Sequence, residues 1–469
     1  MPRPAVVRYA GLAGSLSLAV AAWFGGATNP WEPTIRPATI FAGDDGVLVP
    51  VAWLVGTALL STAWVAGVRA APSARWAYVT AALWSLPLLA FLPLGSYDAY
   101  SYACQGWQQS AGLDPYAGGV DLLGCPWADA VAPTWRDAPA PYGPLFLVLA
   151  GLAAKTGSLT ATLAGLRVIA LLGVALIAVA LPVLARRGNV PLARAVWLVL
   201  ACPLVPIQLI SGAHNDALMV GLFMAGLAVA IKGRAVVAGL LLGLAIAVKA
   251  TAVVVVPFAL LLLLAKRPTA NQRGRRSTVE LFGGLVLALG ACSLVSGRGF
   301  GWVTALSGSG VSVQWTSPPT AIGLTLDLFG LDAVPVTRIL GIIALAFVLA
   351  YLWFRARHRD PLHYAGYALA ATVLLAPVFH PWYAVWPLAV LGATLHHHLR
   401  WLVVPCAVAS ALCLPDGYNL ALAVKTQGAV AMTGFLIYLT WKTLYEAKNR
   451  TGHRSGPDRP ADRLSRRDA

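Results

Sequence analysis

The sequence predicts an all-α polytopic membrane protein, and three observations carry that prediction. Hydrophobic residues fill 58% of the 469 positions and charged residues only 11%. The mean hydropathy is +0.72. Apolar segments of about 18 to 22 residues recur from end to end, each long enough to cross about 30 Å of hydrocarbon. Residues 1–445 therefore read as one transmembrane domain, and 446–469 as a basic cytoplasmic tail, rich in Pro, Arg and Asp and expected to be disordered.

Candidate spans fall near 7–27, 47–68, 76–95, 163–185, 191–211, 216–232, 235–250, 251–265, 278–296, 336–354, 362–379, 382–396, 401–415 and 422–441, which makes 13–14 transmembrane helices. The count depends on the pair flanking Lys249, which reads either as two short spans or as one. The first span follows Arg3 and Arg8 without a clear cleavage site, so an uncleaved helix is expected. The formal charge of +16 is not a nucleic-acid stripe: basic residues cluster between apolar segments, at Arg69 and Arg75, Arg186 and Arg187, Lys232 and Arg234, Lys266 to Arg276, and Arg355 to Arg359. Positive charge marks the cytoplasmic side, so both termini fall there and two long loops, 96–162 and 297–335, fall outside.

The first loop opens with DAYSYACQGWQQSAG, an expected juxtamembrane helix with interfacial aromatics, and continues with YGPLFLVLAGLAAKTG, too short to span. Six cysteines carry no paired CxxC spacing. Cys202, Cys292, Cys406 and Cys413 lie in apolar segments as packing residues, whereas Cys104 and Cys125 share the outer loop, which leaves a disulfide between them open.

Ionisable groups in or beside membrane helices are costly and therefore informative. In this topology Asp98, His214, Asn215, Asp216, Lys249, Arg338, His380 and Lys425 gather toward one leaflet. Asp98, where the chain leaves the bilayer, reads equally as a general base and as the cap of a helix beginning at Ala99. In the sequence His214-Asn215-Asp216, the amide or the carboxylate can cap a helix, and all three suit sugar hydroxyls. Lys249 stands in GLAIAVKATAVVVV with no acidic residue adjacent, and a phosphate would satisfy it. Arg167, Arg338 and Lys425 read as snorkelling anchors or as phosphate contacts. HPWYAVW, with His380 and Trp382, reads as an aromatic belt or a substrate wall. The histidines at 396–398 face the opposite side, and a metal site there is discounted. No nucleotide-binding loop and no DxD pair is present.

SYDAYSYACQGW with GLDPY, PAPYGPLF, GAHNDALMVGL, the lysine of GLLLGLAIAVKAT and HPWYAVWPL, in that order over about 76–395, resemble the polyprenol-phosphomannose-dependent α-1,6-mannopyranosyltransferases of actinobacteria, the MptA/MptB type, within the GT-C class of membrane glycosyltransferases. The resemblance implies a GT-C-like fold with a large first extracytoplasmic loop, and an active site at the outer face of the plasma membrane. It implies Asp98 as the acceptor-activating base, and it maps the family's motif positions onto Asn215, Asp216 and Lys249. With the residues singled out by position, the candidate substrate-binding set is Tyr97, Tyr100, Gln105, His214, Asn215, Asp216, Lys249, Arg338, His380 and Trp382. The implied donor is polyprenyl phosphomannose, and the acceptor an α-1,6-mannan chain of lipomannan or lipoarabinomannan. The implied chemistry is an inverting single displacement. The sequence demands no metal and no cofactor beyond the lipid-linked sugar, although some members of the wider class use a divalent ion. Two rival readings stand beside it: a relative using another polyprenyl-phosphate sugar or acceptor, such as an arabinosyl- or phosphatidylinositol-mannoside transferase, and a lipid or solute transporter.

Overall fold

The computed structural model describes residues 3–32, 46–265, 271–306, 312–412, 414–417 and 420–452. Cys413 and residues 453–469 of the expected tail lie outside them. Among the described residues there is no strand, and helices follow one another from Pro4–Gly25 to Lys425–Gly452. That last helix covers the first seven residues of the expected tail, 446–452.

Among the described residues, five helices are long and apolar enough to cross a membrane: Pro4–Gly25, Leu48–Gly67, Leu159–Arg187, Gly274–Ser296 and Val334–Ala356. The chain is thus a multi-pass membrane protein by length and composition. The bent pair Leu192–Leu200 and Val205–Ser211 makes up to one more, and seven shorter apolar helices of 10–17 residues accompany them, so several expected spans are broken or short. Prolines account for much of this: each removes a backbone donor and clashes with the preceding turn. The expected span 76–95 stops as a helix at Ser85 and passes through a 3₁₀ turn, Leu86–Leu88, containing Pro87. The span 191–211 splits into Leu192–Leu200 and a π-helical turn, Val205–Ser211, bent by 59° around Pro203 and Pro206. The span 382–396 becomes a 3₁₀ turn, Pro381–Ala384, and a short helix, Val385–Leu391.

The ambiguity at Lys249 resolves through packing. A Cβ at Gly239 would meet the carbonyl of Leu281 and one at Gly243 the carbonyl of Leu285, so Ala235–Val248 and Asn271–Ser296 run parallel and close together. Parallel neighbours require the chain to turn back between them. Lys249 takes extended backbone at that turn, the 3₁₀ segment Ala250–Val255 follows, and Val256–Ala265 carries the return. The two halves are therefore separate segments.

The first long loop forms helices as expected, but they are packed into the bundle rather than laid upon it. Helix Asp98–Ser110 and helix Pro144–Ala154 run side by side: Tyr102 meets Phe146 edge-on at 5.1 Å, and Gly106 lies against the backbone of Ala150. Cys104 and Cys125 form a disulfide, and Gln108 Nε2 donates to the Gly124 carbonyl at 3.1 Å, tying the loop to its first helix. Arg167 has internal partners. Its guanidinium donates to the carbonyls of Leu89, Phe91 and Ser211, and so fixes the non-helical link that leads to Asp98.

Candidate functional site

Asp98 is the first residue of its helix, one position earlier than the cap reading requires. Tyr97 holds the capping position, with no side-chain cap, and the Asp98 N–H donates to Ser96 Oγ at 3.1 Å. The carboxylate is therefore not occupied in capping. It accepts a long hydrogen bond from the Tyr102 hydroxyl at 3.5 Å, and Tyr102 in turn sits 3.2 Å from His214 Nδ1. Burial pushes the Asp98 carboxyl up to about 6; Lys249 opposes the rise, Asp216 adds to it, and the Tyr102 and Ser96 hydrogen bonds oppose it further.

Asp216 begins helix Asp216–Ile231, and Asn215 at its capping position makes no side-chain cap; both Asn215 amide atoms are buried without a protein partner. Neither residue plays the capping role open to it in the sequence. Asp216 instead pairs with Lys249, whose Nζ lies 3.0 Å from both carboxylate oxygens, and it accepts from Trp386 Nε1 at 2.7 Å. The lysine that a phosphate was expected to satisfy thus has an internal partner, 33 residues away in sequence. Its ammonium also lies over the rings of Tyr383 at 4.5 Å and Trp386 at 5.3 Å.

The His214 ring stacks on Trp382 at 3.8 Å, and His380 stacks on the same indole at 4.7 Å. Burial, with Lys249 nearby, lowers His380 to about 3. Burial, Lys249 and His380 lower His214 as well. Both rings are therefore neutral, and the contact of 3.8 Å between His214 Nδ1 and Asp98 is not an ion pair.

Two cavities meet here. One, of about 220 Å³, is lined by Asp98, Lys249, Tyr142, Thr372, Tyr383 and Trp386, among others, with an apolar flank of Leu306, Ala376, Pro377 and Val378. The other, of about 160 Å³, is lined by Trp31, Ser96, Tyr97, Thr134, Ser312 and Gln314, among others. Asp98, Trp135, His380 and Trp382 belong to both walls.

The fold thus brings together Asp98, His214, Asp216, Lys249, His380 and Trp382, with Tyr97 on the second cavity. Gln105 lines a small recess beside Asp98. Tyr100 points elsewhere, donating to the Ala27 carbonyl at 2.6 Å. Arg338 lines neither cavity: it donates to Thr320 Oγ1 at 3.0 Å and to the Ser312 carbonyl at 2.7 Å, bracing the loop behind the second one. Lys425, at the start of the last helix, is exposed. Among the described residues no three His, Cys, Asp or Glu side chains converge as a metal-binding group. Sequence reasoning missed Trp135, Tyr142, Tyr102 and Gln314. Trp135 stands in the irregular, proline-rich stretch APTWRDAPAPYG, where no periodicity marks a residue as facing inward. Tyr383 and Trp386 lay inside HPWYAVW, whose aromatic density was the available signal.

Comparison with known proteins agrees with the motifs and extends their reach. Residues 8–265 match the family described as alpha-(1->6)-mannopyranosyltransferase, N-terminal domain, and residues 319–443 match the MptB C-terminal domain. The chain is 35% identical to alpha-(1->6)-mannopyranosyltransferase A of Mycobacterium tuberculosis, over 66% of this chain and 64% of that protein. It is 30% identical to alpha-(1->6)-mannopyranosyltransferase B of Corynebacterium glutamicum, over 76% of this chain and 65% of that protein. The alignment with alpha-(1->6)-mannopyranosyltransferase A of the same organism is 28% identical and covers 75% of this chain and 80% of that protein. The chain spans just under two thirds of the length of the first two relatives. Two matched segments, the first more than half of the chain, put this protein in the alpha-(1->6)-mannopyranosyltransferase family, MptA/MptB type.

Proposed function

We propose that the chain transfers mannose from polyprenyl phosphomannose to a growing α-1,6-mannan chain of lipomannan or lipoarabinomannan, by inverting single displacement at the outer face of the plasma membrane. The observation that carries this reading is the first cavity. It sets a carboxylate that ionises near pH 6 opposite a lysine ammonium, with aromatic walls and an apolar flank. A phosphodiester-linked sugar on a lipid needs those features: a base for the incoming hydroxyl, positive charge for the departing phosphate, and an apolar surface for the first lipid units. Mannose as the sugar and the α-1,6 linkage are taken from the names of the relatives.

In the reaction, Asp98 accepts the proton of the acceptor hydroxyl as that oxygen bonds to C1 of mannose. The bond from C1 to the phosphate oxygen breaks, its electron pair leaves with polyprenyl phosphate, and the proton passes from Asp98 to solvent. The ammonium of Lys249 has three donors and Asp216 takes two, which leaves one for a phosphate oxygen. The disulfide at Cys104 and Cys125 supports the outer side for this loop, since such bonds persist in oxidising compartments. No cofactor beyond the donor enters the reading.

The test uses the purified chain in liposomes with polyprenyl phosphomannose, a short α-1,6-mannoside and, in one arm, EDTA. The expected product carries one more α-1,6-linked mannose, made at an unchanged rate in EDTA. Asp98→Asn should lose about 10²- to 10⁴-fold in rate. Preference for another lipid-linked sugar, movement of intact lipid without transfer, or full activity of Asp98→Asn would each overturn the corresponding part of the reading.

A further inference from the structure

We infer that the second cavity is the seat of the acceptor's terminal sugar, with Trp135 as the partition between it and the donor; this rests on the transfer reading above. Displacement with inversion needs the attacking hydroxyl and the departing phosphate on opposite sides of the anomeric carbon. Asp98 lines both cavities, whereas Lys249 lines only the first. The phosphate end of the donor therefore belongs with Lys249, and the hydroxyl that gives its proton to Asp98 arrives from the other side. When it does, its oxygen bonds to C1, the C1–O bond to phosphate breaks, and the proton moves to the carboxylate.

The chemistry of the second wall fits a neutral saccharide. Among the described residues that line it there is no lysine or arginine, and Asp98 is its one carboxylate. Ser96, Thr134, Ser312 and Gln314 offer hydroxyl and amide groups that exchange hydrogen bonds with sugar hydroxyls. Trp31, Trp135 and Trp382 offer flat apolar rings to the C–H faces of a pyranose, and the neutral His380 ring stands between the last two, 6.4 Å from Trp135 and 4.7 Å from Trp382. Among the described lining residues, none offers a phosphate a cation. Trp135 also lines the recess beside Gln105, so among the described residues a single half-buried indole borders both cavities and that recess, all of which Asp98 lines too.

The experiment separates the Michaelis constants of the two substrates in the liposome assay. Gln314→Ala and Thr134→Val should each raise the acceptor KM about tenfold and leave the donor KM within twofold of the parent. Thr372→Val, on the first cavity alone, should move the donor KM instead. Thermal unfolding in detergent establishes that each variant is folded, and Thr134 is exposed on the four-residue helix Pro133–Arg136, outside the core. A rise in donor KM in the second-cavity variants, or no change in either constant, overturns the assignment while mannose transfer by the parent stands. No transfer by the parent from any polyprenyl-phosphate sugar would remove the transfer reading first, and the acceptor seat with it.

Discussion

Lys249 and Asp216 form a chelated pair, with Nζ 3.0 Å from each carboxylate oxygen, and the pair is fastened by the Trp386 indole at 2.7 Å. Lys249 stands at the break between two helices and Asp216 at the start of a third, so the pair ties three segments together at the floor of the cavity. A buried pair adds little over an apolar substitute, but removing one partner strands the other charge. Asp216→Asn or Lys249→Met alone should therefore destabilise by about 3–5 kcal/mol. The double variant should lose less than the sum of the two single losses, by a coupling of about 1–3 kcal/mol. Thermal unfolding of the four proteins checks this, and strictly additive losses would refute it.

The raised carboxyl of Asp98 sets the direction of the pH dependence. A general base works only when ionised, so kcat/KM should fall as pH drops through about 6, with a slope of one proton. Ionisable groups around it from the neighbouring elements are Lys249, Asp216, Tyr102, Tyr142, Tyr383, His214 and His380, and both histidines stay neutral over that range. Because the folded carboxyl binds its proton more tightly than the unfolded one, the charge at Asp98 costs stability above about pH 6. Asp98→Asn, almost inactive, should melt no lower than the parent at pH 7.5. A flat profile between pH 5 and 7 would show that another group supplies the base.

Gly143 is the hinge of the loop against the broken helix. Its N–H donates to the Val248 carbonyl at 3.0 Å, and a Cβ there would overlap the Ala247 carbonyl. Tyr142 and Lys249, the neighbours on each side of this contact, both line the first cavity. Gly143→Ala should cost about 1–3 kcal/mol through overpacking and lower the rate at least tenfold by moving Tyr142. Gly283→Ala is the control. That glycine has open space around it within a helix, so alanine should be neutral or slightly stabilising there.

Much of this site was legible because membrane sequences make polar residues conspicuous. Asp98, the run at 214–216, Lys249 and His380 stood out against apolar neighbours, and the fold collects them at one end of the bundle. Their pairing was not legible. Nothing in the sequence links Asp216 to Lys249, because that contact depends on how two helix ends meet; for the same reason Arg167 and Arg338 gave no sign that backbone carbonyls would take up their donors. Hydropathy also overstated helix continuity. It reads the apolar content of 76–95 and 191–211 correctly but weighs proline as merely neutral, where the backbone breaks. Trp135 was beyond reach, since an aromatic residue in an aperiodic loop carries no record of which way it faces.

Tyr102 offers the sharpest test of how the base is held. Its ring packs edge-on against Tyr142 at 5.2 Å and Phe146 at 5.1 Å, contacts that phenylalanine would keep. Its hydroxyl, between Asp98 at 3.5 Å and His214 at 3.2 Å, is what Tyr102→Phe removes. That hydroxyl favours the ionised carboxylate, so its loss raises the carboxyl further and moves the acid limb of the rate profile to higher pH. A residue with only a packing role would lower the rate evenly at every pH. The profile of Tyr102→Phe, measured from pH 5 to 8 beside the parent, separates the two: an upward shift identifies Tyr102 as the positioning residue of the base, and a limb that stays in place or moves down removes it from the site.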